Sequence, residues 1–141
     1  MKIRAFAAGD EDAVVALWKA SGLLRPWNDP HRDIARKLAV QPELFLVGSV
    51  EGELMATAMA GYPGHRGWVY YLAVAEAHRR LAHGRALMQE VERLLLARGC
   101  PKVNLLVRST NAGVIAFYRR LGYTEDAVVS LGKRLIDDQA R

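Results

Sequence analysis

Three apolar runs in close succession, Leu44 to Val50, Glu53 to Ala60 and Trp68 to Val74, constrain the fold more than any other feature of the chain. Glu51-Gly52 divides the first two and reads as a hairpin turn, and the turn-rich Gly61-Tyr62-Pro63-Gly64-His65-Arg66-Gly67 precedes the third. Strands joined by such short links form an antiparallel sheet, whose apolar faces must be covered by another layer. In the third run, Trp68, Tyr70, Leu72 and Val74 alternate and are expected on one face.

The covering layers are legible on both sides of this meander. Upstream, Lys2 to Phe6 reads as a short strand. Asp10 reads as the cap of a helix whose apolar residues Ala13, Val14, Leu17 and Trp18 recur at helical spacing until Gly22. A second helix opens with Asp29 as cap and Pro30 at its first position and runs through Ile34 and Leu38, with Pro42 just beyond its end. Downstream, Leu87, Met88, Val91, Leu94 and Leu95 form one stripe of a helix stopped by Gly99 and Pro101. Val103 to Val107 reads as a strand. Asn111 caps a helix with Val114, Ile115, Tyr118 and Leu121 inward, and Tyr123 to Leu131 reads as a last strand. The result is one mixed α/β domain over residues 1–141, with no internal repeat or linker.

Composition removes several classes of function. The single cysteine, Cys100, excludes an intramolecular disulfide and shows no nucleophile partner. The N-terminus lacks a signal-peptide core, and no apolar stretch reaches the roughly 18 residues that span a bilayer. A cytoplasmic protein without a membrane partner is expected. The net charge of +5 rests on arginine, with fifteen Arg to five Lys, a bias that favours phosphate or carboxylate contacts. The bases do not lie along one long face and no nucleic-acid motif is present, so no nucleic-acid partner is expected.

The chemistry concentrates between the third strand of the meander and the long helix, in Ala77-His78-Arg79-Arg80-Leu81-Ala82-His83-Gly84-Arg85. A strand that ends in small and basic residues opening a helix makes an anion site, because the first helical N–H groups lack internal partners and carry the positive end of the macrodipole. As a pattern, Arg or Gln followed by small residues three and five positions on is weak, since about one match is expected by chance in this composition. A second match, Arg4-Ala5-Phe6-Ala7-Ala8-Gly9, lies beside Asp10, Glu11 and Asp12, which repel phosphate. Position after a strand and within a run of bases singles out the match at Arg79.

Downstream of it follow Asn111, a helix bearing Tyr118, and Leu121-Gly122-Tyr123. Taken together and in this order, these residues resemble the GCN5-related N-acetyltransferase (GNAT) superfamily. Arg25-Pro26-Trp27-Asn28-Asp29-Pro30 and Gly64-His65-Arg66-Gly67-Trp68 are similar to its short bacterial YpeA-type members. The resemblance implies the GNAT acyl-CoA N-acyltransferase fold, a mixed and mostly antiparallel sheet flanked by about four helices. It also implies acetyl-coenzyme A as cosubstrate, no metal, and an amine acceptor that is a small molecule, a peptide N-terminus or a lysine. Residue by residue, it implies that the backbone of Leu72, Ala73 and Val74 pairs with the pantetheine arm. The pyrophosphate falls to Arg79, Arg80, Leu81, Ala82, His83, Gly84 and Arg85. Asn111 lies near the pantetheine, and Tyr118 is the general acid for the departing thiolate.

Two positions depart from the family pattern. Ala82 stands where many members have Gly, which costs free energy if the site requires a positive φ and little if it requires only closeness. Leu106 stands where members that acetylate protein N-termini can carry a Glu base. The replacement candidates Glu53, Asp29, His65 and Glu76 each have a plainer role: hairpin carboxylate, helix cap, turn residue and loop entrance. A coenzyme-binding sensor that has lost transfer is therefore the alternative function. Trp27, an aromatic on a connector, is expected to wall the acceptor pocket, and open sheet edges fit a homodimer.

Overall fold

The computed structural model describes residues 1–79 and 82–139. Five strands form one sheet in sequence order: β1 (Lys2–Ala5), β2 (Phe45–Val50), β3 (Glu53–Gly61), β4 (Gly67–Val74) and β5 (Val103–Leu105). The first four pair antiparallel, and β5 joins β4 in parallel. Helices α1 (Glu11–Ala20) and α2 (Pro30–Leu38) cover one face, and α3 (His83–Ala97) and α4 (Ala112–Arg120) lie on the other. Among the described residues no helix is long and apolar enough to cross a membrane.

Local chemistry accounts for most boundaries. Both residues of the β2–β3 turn, Glu51 and Gly52, have positive φ, as a two-residue hairpin that follows the twist of its strands requires. The Asp29 carboxylate accepts from the backbone N–H of His31 and Arg32 and starts α2 at Pro30. Asp10 behaves differently from the expected helix cap. Its carboxylate accepts from Arg4 and from the N–H of Ala7, closing the short turn before α1.

The two faces bury separate clusters. Leu87, Met88, Val91 and Leu95 of α3 pack on Leu46, Met55 and Val69 of the sheet. Val14, Leu17 and Trp18 of α1, with Ile34 of α2, pack on Phe45, Val47 and Met59. Trp18 is fully buried, and its indole N–H donates to Thr57 Oγ1 at 3.0 Å.

Three expectations about strands fail. Tyr123 to Leu131 forms no strand. Asp126 is held to the end of the sheet by side chains alone, through Lys102 Nζ at 2.6 Å and Asn104 Nδ2 at 2.8 Å, and Val128, Val129 and Leu131 stay exposed with no face to bury. The strand expected over 103–107 ends at Leu105. The single face expected of β4 is divided by a bulge. Thr57 pairs with Ala73 and Met59 with Tyr70, so Ala58 alone opposes Tyr71 and Leu72. Tyr71 sits at φ +52°. Trp68 and Tyr70 therefore share the face of Met59, whereas Leu72 and Val74 turn to the α3 side.

Candidate functional site

The bulge in β4 coincides with a branch in the sheet. Pairing between β4 and β5 runs Gly67 to Val103, Trp68 to Asn104 and Val69 to Leu105, and then stops. Beyond Val69 the strands diverge, so residues 70–74 are bonded to β3 on one edge only. The divergence opens a cleft of about 870 Å³, within the range of small-molecule sites. Leu72 lines its β4 wall, with Leu106 and Asn111 opposite, and Tyr118 lines it as well. Ala73 and Val74 continue the same freed edge. The Val74 carbonyl accepts from Arg79 Nε at 3.0 Å.

Tyr118 is 7% exposed, held edge-to-face between Phe117 and Tyr123 at ring distances of 5.1 and 5.6 Å. Burial pushes its phenol well above the ordinary range, so the hydroxyl stays protonated. Asn111 caps α4, its Oδ1 accepting from the N–H of Val114 at 3.3 Å, which leaves the amide Nδ2 as a donor at the cleft. Val114, expected to face inward, is 37% exposed because it borders the cleft.

A smaller basin of about 260 Å³ adjoins the start of α3 and is lined by Arg79, Arg85 and Arg120 together with Ala82 and Phe117. No side chain caps α3, so its leading N–H groups at His83, Gly84 and Arg85 are open donors backed by the helix dipole. Ala82 lies at φ +59°, which answers the question raised by its identity: this position needs the left-handed conformation. His83 is kept towards the neutral form by desolvation first, then by the N-terminal amine and His78. The buried Nδ1 of His78 has no hydrogen-bond partner among the described residues. Gly84 is constrained from within the fold. A Cβ there would meet Phe117 at 3.0 Å and Val74 at 3.8 Å, so the missing side chain lets α3 approach α4 and β4. Arg80 and Leu81 lie outside the described residues.

None of the four base candidates borders the cleft. Glu53 begins β3 and is exposed, Asp29 caps α2, His65 occupies a turn at φ +69°, and Glu76 sits in the short turn after β4. The carboxylate that does line the cleft is Asp33, which sequence reasoning missed. Its Oδ1 accepts from Arg36 at 2.9 Å and its Oδ2 from the Tyr71 hydroxyl at 2.7 Å. Its place on α2, three and four residues before Arg36 and Lys37, was a signal available in the sequence. Trp27 borders the cleft as expected, with Arg134 stacked 5.7 Å from its ring centre. The buried Cys100 donates its thiol to the Lys102 carbonyl, away from the cleft.

A branched parallel strand pair beside an uncapped, arginine-rich helix start is suited to an extended ligand with an anionic end. The residues present fit acetyl-coenzyme A: open amides and three arginines for its pyrophosphate, and a free strand edge for its amide-bearing arm. The family model described as acetyltransferase (GNAT) family matches residues 12–123. A protein named acetyltransferase from Sodalis glossinidius is 51% identical over 140 residues, covering 99% of each chain. One from Pectobacterium atrosepticum is 49% identical over 139 residues, again covering 99% of each. The crystal structure of the ribosomal-protein-S18-alanine N-acetyltransferase from Escherichia coli superposes with a TM-score of 0.75 at 25% identity, covering 89% of this chain and 79% of that one.

Proposed function

The chain belongs to the GNAT family of acetyltransferases, and from that premise we propose that it moves the acetyl group of acetyl-coenzyme A to a primary amine by direct attack within a ternary complex. The observation that carries this reading is the branch between β4 and β5, which frees a backbone edge beside Tyr118 and next to the arginine-lined start of α3.

When bound, acetyl-coenzyme A supplies an acyl group activated as a thioester, and the amine nitrogen forms its bond to the carbonyl carbon as the C–S bond breaks. The open N–H groups of α3 hold the pyrophosphate, and Arg79, Arg85 and Arg120 add charge-assisted contacts. Arg80 and Leu81 complete that loop in sequence. Leu72, Ala73 and Val74 bond the pantetheine amides through their freed edge, and Asn111 offers its Nδ2 to the same arm. The same edge presents fixed N–H donors to negative charge developing on the carbonyl oxygen.

Tyr118 serves the leaving thiolate. A phenol of pKa 10 or above faces a thiolate of about 8.5, so complete proton transfer is uphill by at least about 2 kcal/mol. Tyr118 therefore acts chiefly as a hydrogen-bond donor in the general-acid position. Asp33, with both oxygens already bonded to Arg36 and Tyr71, suits orienting an amine better than deprotonating it. The amine thus enters neutral or loses its proton to water in the open cleft.

Two features extend the reading. A lone, buried cysteine suits the reducing cytoplasm. The exposed Val128, Val129 and Leu131, which follow Asp126 at its bonds to Lys102 and Asn104, support association with a second copy of the chain. A coenzyme-binding protein without transfer is the second reading, favoured by Leu106 lining the cleft where a Glu base stands in some relatives.

Calorimetric titration with acetyl-coenzyme A, alongside Arg85→Glu and Arg120→Glu, tests the assignment. Both side chains are exposed, so their replacement leaves the fold intact. Micromolar binding weakened at least tenfold in each variant is expected, together with amine-dependent thiol release by the wild type. Unchanged affinity in the folded variants would remove the pyrophosphate assignment. Binding without thiol release over a broad amine panel would favour the second reading.

A further inference from the structure

The cleft is unevenly charged. Its lining carries four cations, Arg25, Arg36, Lys37 and Arg108, against one carboxylate, Asp33. Arg36 and Asp33 neutralise each other, and Arg36 is further paired with Asp138. Arg25, Lys37 and Arg108 have no carboxylate within 4 Å among the described residues. Arg108 follows β5, whereas Arg25 on the connector after α1 and Lys37 on α2 line the cleft from its other wall.

Both residues of that wall are prepared for an anion. Arg25 is half-buried, and its Nη1 is pinned by the carbonyls of Gly22 at 2.9 Å and Leu24 at 2.8 Å. The guanidinium is thereby held in place, while Nε and Nη2 have no hydrogen-bond partner among the described residues. Lys37 is half-buried on α2, and desolvation, aided by Arg98 and opposed by Glu43, lowers its ammonium pKa. A partly desolvated cation with no carboxylate in ion-pair contact gains when an anion arrives. Asp33 and the Tyr71 oxygen lie on the same side of the cleft and suit the positive or hydrogen-bonding end of the same molecule.

We propose that the acceptor is a small amine carrying a carboxylate or phosphate group, whose oxyanion is bound by Arg25 and Lys37 while its nitrogen turns past Tyr71 towards the branch of β4 and β5. This inference rests on the acetyltransferase reading above and names the substrate class of the same cleft.

Thiol release from acetyl-coenzyme A, measured with pairs of similar skeleton that differ in the anionic group, such as O-phosphoethanolamine against ethanolamine and β-alanine against β-alaninamide, tests it. The anionic member of each pair is expected to have kcat/KM at least tenfold higher, the scale of one charge-assisted contact. Lys37→Met should raise KM for the anionic amine about tenfold, leave KM for acetyl-coenzyme A unchanged and narrow the preference. Preference for neutral or cationic amines, or a preference untouched in folded Lys37→Met, overturns the proposal. A second arm separates it from the transfer reading: calorimetric titration of O-phosphoethanolamine into protein saturated with coenzyme A, which occupies the arginine basin. Binding there that Lys37→Met loses, without turnover of any amine, upholds the anion site and sinks the transfer reading. Transfer to amines irrespective of charge does the reverse.

Discussion

Replacing Ala82 by Gly isolates one conformational term at the loop proposed to hold the coenzyme. Ala82 is exposed at φ +59°, so the substitution removes no packing and changes the backbone preference alone. A left-handed conformation costs a non-glycine residue roughly 1–2 kcal/mol, and glycine's larger entropy in the unfolded chain returns about 0.4–1 kcal/mol. The net expectation is a gain of about 1 kcal/mol. If the loop holds this conformation in the free protein, the gain appears as a rise in Tm of about 3 °C for a chain of this size. If ligand binding imposes the conformation, it appears as up to about fivefold tighter binding of acetyl-coenzyme A. Thermal unfolding and calorimetric titration on the same samples apportion the two. Ala86→Gly, one turn further into α3, is the control, because a helical glycine there loses about 1 kcal/mol. An Ala82→Gly variant that destabilises like the control, with no gain in affinity, would refute the left-handed assignment at residue 82.

Other perturbations address the acid and the chain end. Tyr118→Phe keeps the packing against Phe117 and Tyr123 but removes the donor, so kcat should fall about 10- to 100-fold with KM for acetyl-coenzyme A within about twofold; steady-state kinetics with an undiminished kcat would exclude the acid role. Asp138 is held down to about 2 by Arg36 and by the N–H of Asp29. Its contribution to stability is complete above the unfolded value of about 4 and is lost as pH falls towards 2. The Tm difference between wild type and Asp138→Asn should therefore be constant above about pH 4 and close between pH 4 and 2, and a difference that persists to pH 2 contradicts the ion pair.

What the sequence made legible was local. Caps and stops need only near neighbours, so Asp29 with Pro30, Asn111, and the positive-φ glycines Gly22, Gly99 and Gly122 stand where their chemistry puts them. The hairpin at Glu51-Gly52 follows for the same reason. The site was legible only as far as its contiguous motif reached. Arg120 joins the basin at the start of α3 from α4, and Asp33 joins the cleft from α2, because the fold brings them there rather than because their neighbours in the chain resemble a site. Gly84 carries a constraint that its local motif does not disclose: a Cβ there would meet Phe117, a residue far along the chain. The missing last strand has the same origin, since Ala127 to Leu131 has the composition of a strand but finds no ladder to join.

The bulge at Tyr71 connects core packing to the position of the cleft. A bulky residue at positive φ costs about 1–3 kcal/mol, so something outside the backbone must hold it. Trp18 stacks on the Tyr71 ring at 3.8 Å, worth roughly 0.5–1.5 kcal/mol beyond its burial. The hydrogen bond from the Tyr71 hydroxyl to Asp33 adds about 1.5–3 kcal/mol, as expected with a charged acceptor. Thr57 ties the two together, accepting from the Trp18 indole and donating its hydroxyl to the Tyr71 carbonyl at 2.8 Å. These contacts match or exceed the strain. Glycine at 71 would relieve φ but lose the stack and the bond to Asp33, so a strained tyrosine is favoured over a relaxed glycine. The inserted residue turns Leu72 and Val74 to the α3 face just beyond the last β4–β5 pair, so a buried tryptophan on α1 determines where the sheet opens.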